Sequence, residues 1–254
     1  MLTRFMIQSI LFGALFGLFL FWCGPSTAGG AGAASQLSAE VARVADSIHW
    51  LGHASVRIDA GGLVVYIDPW QLGGEPKKAD LVLITHDHRD HCSPEDVEAV
   101  FREGTEIVTI AAAAEKLPGK PVQIVTPGDK ITVKGLSIEA VPAYNLNKFR
   151  SPGVPFHPKE ALHVGFVVTL DGVRIYHSGD TDCIPEMKDV RADIVLLPVS
   201  GKYVMTAEEA VKAVEILRPA LAIPMHVGRG IGSPEDAERF RELSPLPVRV
   251  LPME

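Results

Sequence analysis

The order of apolar segments along the chain predicts a mixed α/β (α+β) fold, arranged as an αββα four-layer sandwich. Short alternating or continuous apolar segments, typical of β-strands, come first, and strand and helix signals follow them in alternation. This order of strands, then strands with helices, occurs twice. Two sheets packed face to face with helices outside satisfy it, because each sheet must bury an apolar face.

The first predicted sheet opens with four strand signals, at 47–52, 55–59, 63–67 and 79–84. A helix is predicted to start at Ser93, because a capping serine, a proline in the first turn and early acids follow one another there. Four further strand signals follow, at 106–110, 122–125, 130–133 and 136–142. A long polar loop, 143–162, comes after them, and loops of this length in compact domains are usually functional or disordered.

The second half repeats the pattern with clearer turns. The strand signals 164–170 and 173–177 are joined by Asp171-Gly172, a strong hairpin signal. Two more apolar strands and two helices then alternate, at 193–199, 206–217, 221–224 and 234–243. A globular domain is therefore predicted over residues 45–254.

Composition narrows the class of protein. The 254 residues are 47% hydrophobic and 22% charged, and the formal net charge is −7. These values are typical of an ordinary globular protein. An acidic chain without a basic run around its motifs argues against nucleic acid as a partner. The negative net charge does not exclude an anionic small molecule as substrate, since bound metal ions supply local positive charge.

The N-terminal segment is predicted to be a signal peptide, residues 1–28, followed by a linker, 29–44. No charged side chain occurs in 5–39, and Arg4 precedes the apolar run 10–22. Ser26-Thr27-Ala28 is a small-residue cleavage pattern, which predicts export to the periplasm or the extracellular space. The alternatives are membrane association through an uncleaved anchor at 5–23 and a lipoprotein modified at Cys23.

The most informative motif is Thr85-His86-Asp87-His88-Arg89-Asp90-His91, which directly follows the apolar strand signal 79–84. It places three imidazoles and a carboxylate within six residues on a loop at a strand end. Imidazole and carboxylate are the ligands that zinc, iron and manganese accept. The motif therefore predicts a metal centre.

This motif resembles the signature of the metallo-β-lactamase fold superfamily, and two later segments agree with it in order. Tyr176-His177-Ser178-Gly179-Asp180-Thr181-Asp182 looks like the segment that carries a metal-bridging aspartate, and Ile223-Pro224-Met225-His226 looks like the one that carries the last histidine. The resemblance covers about 47–254 and is nearest to ascorbate-6-phosphate lactonase-like proteins and a phospholipase D acting on N-acyl phosphatidylethanolamines. It implies the metallo-β-lactamase fold and two divalent metal ions.

Ligand roles follow from the resemblance, position by position. It implies His86 and His88 in site one, Asp90, His91 and His226 in site two, and Asp180 as the bridge. The third ligand of site one is open, because Asn145 stands where the family has a histidine. His157 on the long loop is the predicted substitute, and His163 is interpreted as structural. Asp68, His53, Asn145 and Tyr203 are predicted to support the ligands or face the substrate.

The expected activity is metal-dependent hydrolysis by a metal-activated water, with Asp90 as the catalytic residue that orients it. Zinc is the favoured metal, with manganese or iron as alternatives. The substrate, small or lipid-like, carries a lactone, phosphodiester or amide bond that the residues do not specify. A non-catalytic or single-metal binding protein on the same fold is the alternative, and a di-iron oxidoreductase would need an electron-donating domain. Cys92 and Cys183 either pair or fill buried space.

Overall fold

Two six-stranded sheets form the centre of the protein. The computed structural model describes residues 37–254. The first sheet contains, in both chain and spatial order, β1 (Ile48–Gly52), β2 (Ser55–Ala60), β3 (Leu63–Ile67), β4 (Leu81–Ile84), β5 (Glu106–Thr109) and β6 (Val122–Ile124). Neighbours are antiparallel from β1 to β3 and parallel from β3 to β6.

The second sheet is interrupted in sequence by a small ribbon. Strands β7 (Lys130–Val133) and β8 (Leu136–Pro142) begin the sheet, and β9 (Phe149–Ser151) and β10 (Val154–Pro155) form a separate ribbon within the long loop. The sheet continues with β11 (Val164–Leu170), β12 (Val173–His177), β13 (Ile194–Pro198) and β14 (Leu221–Met225). Its order is β14-β13-β12-β11-β8-β7, and β12, β13 and β14 run parallel.

In the described part of the chain, five α-helices accompany the sheets: α1 (Ala39–Ala45), α2 (Pro94–Val100), α3 (Ala111–Ala114), α4 (Ala207–Leu217) and α5 (Pro234–Leu243). The predicted start of α2 is present, since the Ser93 side chain accepts a hydrogen bond from the Asp96 amide. Thr206 and Glu209 cap α4 reciprocally. Within residues 37–254, no helix is long and apolar enough to cross a bilayer.

Side-chain alternation along the strands separates two apolar layers. In β11, Phe166 and Val168 belong to a cluster shared with the first sheet, while Val167 belongs to a second cluster with α4 and α5. The alternation arises because successive strand side chains point to opposite faces. Both faces of the second sheet are therefore buried, one by the first sheet and one by helices, and the predicted α/β class with two sheets packed face to face is confirmed.

The predicted linker needs a correction. Helix α1 begins within 29–44, where the Ser38 side chain accepts a hydrogen bond from the Val41 amide. Val41, Val44 and Ala45 are buried in the core. Their spacing of three and four residues makes one apolar helix face, which was overlooked beside the Gly/Ala/Ser-rich stretch. The predicted signal peptide, and the linker as far as residue 36, lie outside the described residues.

Candidate metal centre

The candidate site lies where parallel strands of both sheets end. The histidine motif follows β4, Asp68 follows β3, Asp180 follows β12 and His226 follows β14. Carboxyl ends of parallel strands meet at one edge of a sheet, and loops leaving that edge gather their side chains there. The sequence motifs, though up to 140 residues apart, therefore meet at one place.

Several residues at this edge of the sheets have a strained backbone. His53, Asp68, Tyr203 and His226 have φ values of 55°, 48°, 69° and 61°. Such left-handed conformations are uncommon for residues other than glycine and persist only where the surroundings hold them. At His53 and His226 the restraint is visible, because the His53 amide donates to the Val227 carbonyl and the His226 amide donates to the His53 carbonyl.

The predicted site one is assembled from three imidazoles. One ligand atom from each of His86, His88 and His157 lies within 4.8 Å of the others. His86 Nε2 and His88 Nδ1 are 3.2 Å apart. The long loop thus brings His157 to the motif, and His163 is not a member of this group.

The amide oxygen of Asn145 is occupied by hydrogen bonds from His157. Asn145 Oδ1 accepts hydrogen bonds from the His157 amide and from His157 Nδ1, at 2.8 and 2.9 Å. Its Nδ2 donates to the Tyr203 carbonyl. Asn145 therefore fixes the orientation of the His157 ring.

Asp180 lies between the two predicted sites. Its Oδ2 is 3.0 Å from His226 Nε2 and 3.4 Å from His157 Nε2, and its Oδ1 is 3.4 Å from His91 Nε2. One carboxylate therefore faces ligands of both sites, as a bridge requires. His86, His91 and Asp180 also form a group with metal-binding spacing.

The predicted site two differs from the sequence assignment at one residue. His53, rather than Asp90, shares metal-binding spacing with His91 and His226. Asp90 Oδ2 instead lies 3.1 Å from His53 Nε2 and 4.0 Å from His91 Nε2. His53 was predicted only to support the site or face substrate, and its place beside His226 depends on the β1–β2 turn, which no motif marks.

Four imidazoles of the site are held in place by hydrogen bonds at Nδ1, the ring nitrogen that points away from the centre of the site. Thr85 Oγ1 donates to Asp68, so it accepts from His86 Nδ1 at 2.9 Å. Asp68 Oδ2 also accepts from His91 Nδ1 at 2.7 Å. Ser200 Oγ donates to a backbone carbonyl and accepts from His226 Nδ1 at 3.0 Å.

With His157 held by Asn145, all four rings carry their outer proton on Nδ1 and turn Nε2 inward. A metal-ligating histidine normally donates its other N–H to a carboxylate, carbonyl or hydroxyl in this manner. The sequence indicated Asp68 and Asn145 as such partners. It gave no signal for Thr85 and Ser200, because single hydroxyl residues beside strands are too common to single out.

Burial and neighbouring charges together determine the protonation of the site. It lowers the pKa of His86 well below the usual range and that of His157 to about 3, so both rings are neutral. Burial would raise the pKa of Asp180, but His226 and His91 hold it well below the ordinary value. Burial would lower the pKa of His91, but Asp180 and Asp68 raise it well above that value. The buried carboxylates thus stabilise positive charge placed near them.

Unsatisfied atoms support the same conclusion. His91 Nε2 and Asp180 Oδ1 are buried without hydrogen-bond partners within residues 37–254, and they face each other at 3.4 Å. A buried polar atom without a partner is costly. A divalent cation between inward Nε2 atoms and a carboxylate would satisfy both, so the residues present fit the implied metal.

The remaining predicted residues lie close by. His163 stacks on His86, with ring centroids 4.8 Å apart, and its Nε2 is 3.7 Å from Asp87 Oδ1. Tyr203 is partly exposed at the entrance of the site. Cys92 and Cys183 are both free thiols.

Comparisons with known proteins also indicate a metal-dependent protein. The family model described as Beta-lactamase superfamily domain matches residues 47–226, more than half of the chain. A UPF0173 metal-dependent hydrolase of Methanopyrus kandleri is 36% identical over 219 residues, which cover 80% of this chain and 94% of that protein.

Solved structures are similar over the same part of the chain. A candidate metal-dependent hydrolase of Parabacteroides distasonis is 33% identical, with a TM-score of 0.72, over 82% of this chain and 93% of that one. A metallo hydrolase of Ignicoccus hospitalis is 25% identical, with a TM-score of 0.63, over 80% and 94%. The superfamily predicted from three motifs is confirmed, while the finer resemblance to lactonase and phospholipase members stays a prediction. The chain belongs to the β-lactamase superfamily and, within it, to the UPF0173 metal-dependent hydrolases.

Proposed function

We propose that this metal-dependent hydrolase binds two divalent ions and that the metal is zinc. Neutral imidazole and carboxylate suit zinc, and manganese and iron are the alternatives. Site one would be held by His86, His88 and His157, and site two by Asp90, His91 and His226, with Asp180 shared.

The observation that carries this proposal is the common orientation of four buried imidazoles. His86, His91, His157 and His226 all donate outward from Nδ1 and present Nε2 to the same small space. A buried carboxylate surrounded by imidazole nitrogens favours positive charge among them, and a divalent cation would supply it. A purely structural cluster would satisfy these inward atoms with protein groups, whereas His91 Nε2 and Asp180 Oδ1 have no hydrogen-bond partner within residues 37–254.

When bound, a pair of divalent ions lowers the pKa of a water toward neutrality and polarises a carbonyl or phosphoryl oxygen. Asp90 lines the cavity in front of the site. Burial would raise the pKa of Asp90, but the hydrogen bond from His53 and the charge of His91 hold it below the usual range. An ionised Asp90 would accept a hydrogen bond from the attacking water and orient it.

Substrate and location belong to the same proposal. The substrate is a small or lipid-like molecule with a lactone, phosphodiester or amide bond, and nucleic acid is not a partner. The enzyme is exported after cleavage of residues 1–28, or held at the membrane through 5–23. Intact mass of protein from the envelope fraction tests this: loss of 28 residues supports cleavage, and a mass that includes Met1 supports the anchor.

Metal content of the purified, dialysed protein tests the centre itself. Two ions per chain are expected in the parent protein. The double variant His86→Ala/His88→Ala should lose the ion of site one, and full metal content in that variant would contradict the assignment. Hydrolysis of a panel of lactones, phosphodiesters and β-lactams by the metal-loaded protein then identifies the bond.

A single-metal protein is the second candidate, and one contact favours it. The Asp90 carboxylate bonds His53 and lies 4.0 Å from His91 Nε2, so site two lacks one of its predicted ligands in this arrangement. One tightly held ion per chain, retained in Asp90→Asn, would support this candidate over the two-metal centre.

A further inference from the structure

A cavity of about 330 Å³ opens onto the candidate metal centre. Half of its lining residues belong to the site, namely His88, Asp90, His157 and Asp180. The other half have no part in the proposed metal chemistry, and they are Arg89, Arg150, Phe156 and Tyr203. A substrate that reaches the metals must lie in this cavity, so the second set contacts the part of the substrate away from the reacting bond.

The two arginines stand out because their guanidinium groups form no hydrogen bond or ion pair with the described part of the chain. Among the arginine side chains in residues 37–254, only those of Arg89, Arg150 and Arg218 make neither a hydrogen bond nor an ion pair within that part of the chain. Two of these three line the same cavity, and Arg218 lies at the end of α4. In a chain of formal charge −7, two unpaired guanidinium groups beside one cavity are a local excess of positive charge.

The arginines come from separate elements. Arg89 lies inside the histidine motif after β4, and Arg150 lies on β9 of the ribbon. The Arg150 guanidinium is 5.7 Å from the centre of the Phe156 ring. Phe156 in turn meets Tyr203 edge to face, with ring centroids 4.7 Å apart. The cavity therefore has one metal-binding wall and another that combines arginine with aromatic rings.

Arginine is suited to oxyanions. Its planar guanidinium presents several N–H donors in a geometry that matches carboxylate and phosphate, and such charge-assisted bonds are stronger than neutral ones. The carboxylates of Asp90 and Asp180 would repel an anion from the metal wall, but two divalent ions would offset their charge. The arginine wall adds a second attraction that does not depend on the metals.

We propose, building on the hydrolase function above, that Arg89 and Arg150 bind an oxyanion of the substrate, a carboxylate or a phosphate group. Phe156 and Tyr203 contact an apolar or aromatic part between that group and the bond that is cleaved. The substrate class is thus a small anionic ester, lactone or amide.

Calorimetric titration with three small probes tests the subsite without turnover. Benzoate and phenylphosphonate carry the two oxyanions on a phenyl ring, and benzamide is the neutral match for benzoate. For both anions, Arg89→Gln/Arg150→Gln should weaken binding about tenfold or more, since a bond to a charged group is worth at least one such factor. Benzamide affinity should not change. The probe that loses more affinity distinguishes phosphate from carboxylate.

Arg218→Gln is the matched control, because it removes an unpaired arginine outside the cavity and should leave all three affinities unchanged. Titrations are run with metal-loaded and metal-depleted protein, and metal content is measured in each. A double variant that binds both anions as tightly as the parent overturns the subsite, whatever its metal content. A parent protein without bound metal overturns the proposed function, whereas loss of anion affinity in the metal-depleted double variant still supports the subsite.

Discussion

The two candidate metal sites share Asp180 but differ in how completely their ligands are assembled. In site one, ligand atoms of His86, His88 and His157 already lie within 4.8 Å of one another. In site two, the carboxylate of Asp90 is 4.0 Å from His91 Nε2 and hydrogen-bonded to His53. Site one is preorganised by the protein, and site two is only partly so.

The source of the difference is the support behind each ligand. His157 is held through both its amide and Nδ1 by Asn145, and His86 is held through Thr85 by buried Asp68. The Asp90 side chain is 28% exposed, and it faces His53 and His91, which are themselves ionisable groups of the site. We therefore expect site one to bind metal more tightly than site two, because less reorganisation accompanies binding there.

His157→Ala should have the largest effect. It removes a ligand of site one, and the loss of metal affinity and hydrolysis should exceed the roughly 100-fold that marks the upper range for outer partners. His163→Ala is the control, because it removes a buried imidazole that stacks on His86 without joining the cluster. Metal titration measures both losses. Equal losses in the two variants would show that His157 is no more a metal ligand than His163.

Asp68→Asn should weaken both sites at once. One carboxylate accepts from His91 Nδ1 and from the Thr85 hydroxyl that holds His86, so the change disturbs a ligand on each side. A loss of up to about 100-fold in affinity is expected at each site. Asp171→Asn, which alters only a surface pair with Arg43, should have no effect. Weakening of a single site would show that the two are supported independently.

His53→Ala tests whether His53 positions Asp90 for the second metal site. If His53 holds Asp90 in place for site two, its removal should weaken the second metal about tenfold, in the range for an outer partner, and leave the first unchanged. His49→Ala removes a nearby imidazole that pairs with Glu254 outside the site, and serves as the control. Tighter binding of the second metal in His53→Ala would mean that His53 keeps Asp90 away from it.

Asn145→Ala and Ser200→Ala form a matched pair with smaller expected effects. Asn145 supports His157 and Ser200 supports His226, so each should weaken one site by about tenfold. Competition with a coloured chelator resolves the two affinities. The comparison fails if Ser200→Ala affects site one or Asn145→Ala affects site two.

Local patterns in the sequence predicted most of the architecture. The apolar strands, the Asp171-Gly172 turn and the serine cap of α2 depend on residues within a few positions of each other. Asp171 and Gly172 both have positive φ, as a tight hairpin turn requires. The histidine motif is equally local, since three imidazoles within six residues have few other uses. Helix α1 follows the Gly/Ala/Ser-rich stretch, and its apolar face of three residues is too short a pattern to predict a helix there.

By itself the sequence determined the fold class, the strand ends that carry the motifs, and the types of ligand available. Only the tertiary structure decided which side chains come together: Asn145 behind His157, His53 on Asp90, Ser200 on His226, and Arg89 and Arg150 in the lining of one cavity. These partners are separated by 12 to 61 residues and come from different loops or sheets. Hydrogen bonds and charges act over a few ångströms, so their pairing appears only after the strands have packed and their loops have met at one edge.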